Sequence, residues 1–117
     1  MTYIDGFAVA VPSDKKQDYI NHAKMAADIL KDYGALKIVE CWGDDVPDGK
    51  VTSFPQAVQK QENETVCFSW IEWPSREVRN DAMPKFMADE RLDMEKNPMP
   101  FDGKRMIFGG FEVILEV

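Results

Sequence analysis

Met106-Ile107-Phe108-Gly109-Gly110-Phe111-Glu112-Val113-Ile114-Leu115-Glu116-Val117 reads as a β-strand that is apolar on both faces. Alternate residues of a strand point to opposite sides. One side here carries Ile107, Gly109, Phe111, Val113, Leu115 and Val117; the other carries Met106, Phe108, Gly110, Glu112, Ile114 and Glu116. Only the last residues show a wet face, whereas a sheet solvated on one side alternates cleanly between apolar and polar. Three further stretches, 3–11, 36–43 and 65–73, have the same two-faced character. The first sets Tyr3, Asp5, Phe7, Val9 and Val11 against Ile4, Gly6, Ala8 and Ala10. The third sets Val66, Phe68, Trp70 and Glu72 against Cys67, Ser69, Ile71 and Trp73. The small residues Gly6, Ala8 and Ala10 mark the face expected to lie against a helix backbone.

Only two stretches have helical periodicity. In the first, Ser13 or Asp14 is expected to cap, Tyr19, Ile20, Ala23, Ala26, Ala27 and Leu30 form the apolar stripe, and Gly34 stops the helix. The second starts near Ser75, with Val78, Ala82 and Phe86 spaced by four, and Pro84 is expected to kink or break it near residues 80–83. The resulting order, β-α-β-β-α-β, is ferredoxin-like: an α+β fold with an antiparallel four-stranded sheet and helices on one face. Two helices cover one face of such a sheet. The other requires cover from outside the chain, and the simplest cover is the same face of a second copy. A homodimer with sheet packed on sheet, a dimeric α+β barrel, is therefore expected.

At 117 residues with 44% hydrophobic residues, the chain is expected to form a single domain, 1–117. Fourteen basic residues against 21 acidic give a net charge of −7, the wrong sign for a phosphate backbone, so no nucleic acid is expected as partner. No apolar run approaches the 18 or so residues that would span a membrane, and no secretory signal is present, so a cytoplasmic protein with no membrane partner is expected. Cys41 and Cys67 lie inside strands without metal-type spacing and read as reduced thiols. Residues 44–64, between the second and third strands, are long for a hairpin loop. Ser53 is placed to cap a short turn with Pro55 inside it, and the apolar Phe54 and Val58 predict an ordered arm with Phe54 buried.

Four runs carry a specific resemblance: Gly34-Ala-Leu-Lys-Ile-Val-Glu-Cys-Trp-Gly-Asp-Asp-Val-Pro, Lys50-Val-Thr-Ser-Phe-Pro-Gln-Ala-Val, Phe68-Ser-Trp-Ile-Glu-Trp-Pro-Ser-Arg and Met99-Pro-Phe-Asp-Gly-Lys-Arg-Met-Ile-Phe-Gly-Gly-Phe-Glu-Val-Ile. Together they resemble the YbaA-like bacterial family of unknown function, and the match covers nearly the whole chain. The resemblance implies the dimeric α+β barrel fold. It implies no single activity, because proteins of that wider group include cofactor-free monooxygenases, haem-degrading enzymes and isomerase-like proteins.

Chemistry is sparsely marked. His22 is the only histidine, which excludes a multi-histidine metal centre, and it falls nearer the exposed side of its helix than the apolar stripe. Asp44, Asp45 and Asp48 lack the spacing of a calcium loop and read as a solvated turn. No metal and no cofactor, haem included, is expected. Polar residues embedded in apolar strands, Asp5 and Glu40, together with Arg105 just before the last strand, are either structural pairs or ligand anchors. The candidate ligand-binding set is Asp5, Phe7, His22, Glu40, Trp42, Trp70, Arg105 and Phe111, with Asp5 and Arg105 expected to pair across adjacent strands. Two functions fit this set: a small organic molecule held between helices and sheet, with or without cofactor-independent catalysis of the monooxygenase or isomerase kind, or a non-catalytic dimer module.

Overall fold

A computed structural model describes residues 2–117. The chain runs β1 (Tyr3–Pro12), α1 (Lys16–Asp32), β2 (Lys37–Trp42), α2 (Phe54–Ala57), β3 (Glu64–Trp73), α3 (Arg76–Ala88) and β4 (Ile107–Glu112). The strands form one sheet in the order β2-β3-β1-β4, every neighbouring pair antiparallel, which is the expected ferredoxin-like α+β topology. Its register sets Asp5 opposite Gly110 and Ile71, and Gly6 opposite Gly109 and Trp70.

Both long helices pack on the side of the sheet that carries Tyr3, Phe7, Val9, Val11, Cys67, Ile71 and Trp73. Leu30, Ala35, Ile71, Trp73 and Ala82 form one buried cluster there, joined by Val78, Met83 and Phe86 from α3. Val9, Val11, Tyr19 and Cys67 form a second, bordered by Trp42, Phe101 and Met106. Gly34 ends α1 with φ of +114°, and a Cβ there would meet Val78 at 2.9 Å, so both backbone and packing require glycine.

Several local expectations are corrected. Neither Ser13 nor Asp14 caps α1; a 3-10 turn at Ser13–Lys15 leads into it, and the Ser13 hydroxyl is 2.7 Å from that of Thr65. Ser75 does cap α3, accepting from the Val78 N–H, but the helix continues through Pro84 without a break. A proline inside a helix costs about 3 kcal/mol. That cost is offset by burying the flanking Ala82, Met83 and Phe86 against β3 and α1. The last strand stops at Glu112, which pairs with Tyr3 where β1 begins, and among the described residues no strand partners 113–117.

The opposite face of the sheet carries the small residues of β1, and no long helix lies on it. Val58, just after α2, covers Ala8, Ala10 and Val66 at one end; fully buried, it contributes on the order of 1.5–3 kcal/mol. The Ser53 hydroxyl accepts from the Gln56 N–H, capping α2 as expected, so the arm is ordered. It is Val58 that anchors the arm, whereas Phe54 remains half exposed, its ring edge-on to Phe68 at 5.9 Å. Beyond the arm the face is bare: Phe68, Ile107 and Phe111 are 43%, 45% and 59% exposed. They border an open apolar groove of about 620 Å³ that also touches Gly6, Ala8 and Trp70. No helix among the described residues is long and apolar enough to cross a membrane.

Candidate functional site

Position 19 of the first helix decides the geometry of the best-formed polar cluster. Tyr19 sits on the buried stripe of α1, so its phenol crosses the apolar layer and its hydroxyl meets the sheet at Glu40 of β2, donating to the carboxylate oxygens at 3.1 Å each. Glu40 counts among the exposed residues, yet its carboxylate turns in toward this hydroxyl. Desolvation holds the Glu40 carboxyl above the usual carboxylate range, opposed by hydrogen bonds from Tyr19 and Ser69. Burial, reinforced by the Glu40 charge, raises the Tyr19 phenol well above its ordinary value and keeps it protonated as a donor. Burial also pushes the Cys67 thiol up to about 12, which makes it a poor nucleophile at neutral pH.

Aromatic rings close the cluster. Trp42 lies 6.3 Å from the Tyr19 ring, and Phe101, from the proline-punctuated loop before β4, lies 5.8 Å from it. Phe101 also meets His22 at 6.3 Å in an edge-on arrangement, so Tyr19 and His22, one helical turn apart, share this cover. His22 is thus turned under the loop, a correction to the exposed position expected of it. Its Nε2 is buried and has no hydrogen-bond partner among the described residues, and burial lowers its pKa, so the ring is neutral at pH 7. A buried polar atom without a partner is costly and uncommon. Lys16 caps the outer side of Trp42, its ammonium 5.6 Å from the ring centre.

The other candidate residues lie elsewhere. Asp5 is 3% exposed and faces the helices, where it accepts from Trp73 Nε1 at 2.9 Å and from Arg79 of α3 through both Nε (3.1 Å) and Nη2 (2.8 Å). Its expected partner, Arg105, is at the far end of the sheet. The antiparallel pairing of β1 and β4 puts the start of one beside the end of the other, so a residue preceding β4 cannot reach Asp5. Arg105 instead grips both oxygens of Glu64 at 2.8 Å and Asp102 at 3.1 Å, tying the loop before β4 to the start of β3. Phe7 packs into the helix-side core and contacts Phe108, while Trp70 and Phe111 stand on the opposite, uncovered face. The eight residues therefore divide among four places: His22, Glu40 and Trp42 gather around Tyr19, Trp70 and Phe111 share the uncovered face, Asp5 and Phe7 sit in the helix-side core, and Arg105 stands apart. Sequence reasoning missed Tyr19, Phe101, Ser69 and Arg79. Tyr19 carried a signal, since it is the one residue of the α1 stripe with a polar tip.

The Arg105 guanidinium holds the Glu64 carboxyl at about 2, down from 4.5. A carboxyl whose folded pKa is depressed adds stability above its unfolded pKa and loses it as the pH falls through the folded one. The strap's contribution should therefore be complete above pH 4.5 and disappear between 4.5 and about 2. Glu64→Gln should flatten the urea-midpoint profile in that window, and an unchanged acid limb would show that the strap contributes nothing.

Among the described residues, no group of three or more His, Cys, Asp or Glu side chains is placed to hold a metal ion. The cluster's chemistry is that of a carboxylate, a phenol and a neutral imidazole. The sequence pattern of a family described as a protein of unknown function (DUF1428) matches residues 2–103. Proteins named "Uncharacterized protein YbaA" from Escherichia coli strain K12 and from Shigella flexneri are each 60% identical over 116 residues, covering 99% of this chain and 99% of theirs. The chain accordingly belongs to the DUF1428 family of proteins of unknown function.

Proposed function

We propose that the protein is a cytoplasmic homodimer of single-domain subunits, each binding a small organic molecule between α1, β2 and the loop that carries Phe101. The observation that carries the binding reading is the buried, unpartnered Nε2 of His22 beside the Tyr19–Glu40 pair. A ligand group hydrogen-bonded to Nε2 would remove that orphan. Aromatic walls, a carboxylate and an imidazole favour a neutral, planar molecule with a hydroxyl or ring-nitrogen group, and Glu40 disfavours an anion. The dimer is supported by the uncovered apolar face, and two free thiols, one of them the exposed Cys41, fit a reducing compartment.

Cofactor-independent proton transfer at the same place is the second reading. It is favoured by the Glu40 carboxyl, which desolvation moves from the ordinary carboxylate range toward neutrality. Asp5, Phe7, Trp70, Arg105 and Phe111 take structural or interface roles in either reading.

A thermal-shift screen of neutral phenols, aromatic alcohols and N-heterocycles tests the binding site. A true ligand at one hundred times its Kd adds about 2.7 kcal/mol of stability. The shift should appear in the native chain and disappear in His22→Ala and Tyr19→Phe. No shift with any compound, or equal shifts in these variants, would leave the chain as a non-catalytic dimer module.

A further inference from the structure

We propose that residues 113–117 cross to a second copy of this chain and pack on its uncovered apolar sheet face, so that each subunit's groove is completed by the other's segment. The inference rests on the homodimer reading and goes beyond it. Ile114, Leu115 and Val117 are 87%, 75% and 112% exposed, a dense run of apolar surface left uncovered by the described residues. Such a run marks an interaction site.

The segment's own groove is an unfavourable destination. β4 ends where β1 begins, at the Glu112–Tyr3 pair, so residues 113–117 continue beyond the last paired residues of the sheet. Reversal there would need a turn. Val113, Ile114, Leu115, Glu116 and Val117 include no glycine, proline, asparagine or aspartate, and the β-branched residues favour an extended course.

The receiving surface matches in chemistry. Phe68, Trp70, Ile107 and Phe111 line an apolar groove of about 620 Å³ with small residues, Gly6 and Ala8, on its floor. The Phe111 ring lies over Gly6 and Gly109, 3.5 Å and 3.6 Å from where their Cβ atoms would stand, so it is the side chain that must shift to admit the segment. Two-fold symmetry makes the exchange reciprocal: each copy donates one segment and receives one.

The test compares the full chain with one shortened to Glu112 and with Leu115→Asp, by sedimentation equilibrium, with circular dichroism to confirm that each is folded. Dimer dissociation constants should rise at least about tenfold in both variants. In parallel, a photo-crosslinking amino acid replaces Leu115 in an equal mixture of nitrogen-14 and nitrogen-15 chains. The inference expects mixed-isotope crosslinks that map to peptides bearing Phe68, Trp70 or Phe111. Unchanged dissociation constants, or crosslinks confined to single chains, would overturn the exchange while leaving the dimer intact. A monomeric full chain would overturn both.

Discussion

Arg79→Ala should lower the unfolding free energy by about 3–5 kcal/mol, the cost of leaving a buried charge without its partner. Asp5 sits in the helix-side core with a side chain 5% exposed, and Arg79 supplies a two-nitrogen grip on its carboxylate. Without that grip only the Trp73 N–H would remain. The site is built around the pair: a Cβ on Gly110, opposite Asp5, would run into the Tyr3 hydroxyl and the Arg79 guanidinium. Lys85–Asp81, an i,i+4 pair with both side chains more than half exposed, is the internal control. Such surface pairs contribute about 0–1 kcal/mol, and Lys85→Ala should be near neutral. Urea unfolding at fixed protein concentration reads both. Equal, small effects in the two variants would show that the buried pair does not hold the fold.

On the proposed dimer, Phe68→Glu should yield a folded monomer at micromolar concentration where the native chain is dimeric. In the isolated subunit Phe68 is 43% exposed near the middle of the uncovered face, so a glutamate there leaves the subunit's own core untouched. Stacked against a second sheet, the same carboxylate would lose its water and meet its symmetry mate, at a cost of several kcal/mol. Ile20→Glu, at a residue of similar exposure on α1, adds the same charge away from the sheet and should leave assembly unchanged. Loss of the dimer in both variants would indicate a general effect of charge and not a defined interface.

How much of this was legible in the sequence depends on what each feature needs. β1 and β3 follow from runs that are apolar on both faces, and the order of elements follows from periodicity and punctuation. The end of β4 does not, because Val113-Ile114-Leu115 have every local property of a strand, and the ladder ends at the Tyr3–Glu112 pair where β1 begins. The local cost of Pro84 predicts a break, and packing on either side of it outweighs that cost. The uncovered face follows from counting helices, although the small residues of β1 lie on that face and not, as their size suggests, against a long helix. Alternation says which residues share a face and not which face meets the helices. The charges were the least legible. Asp5 reads from the sequence as a charge needing a partner, but that partner arrives from α3, whose placement over the sheet no strand pattern specifies. Arg105 could have been excluded by the direction of the strands. The Tyr19, His22 and Phe101 grouping depends on where a proline-punctuated loop settles, and only Tyr19 announced itself.

The stacked-sheet homodimer is the claim on which the groove, the crossing segment and the reading of Phe68 and Phe111 all depend. Light scattering coupled to size exclusion, on the full chain at micromolar concentration, measures it without mutation or ligand. The expected molar mass is twice the 13.4 kDa of one chain, and a single species of 13.4 kDa would contradict it.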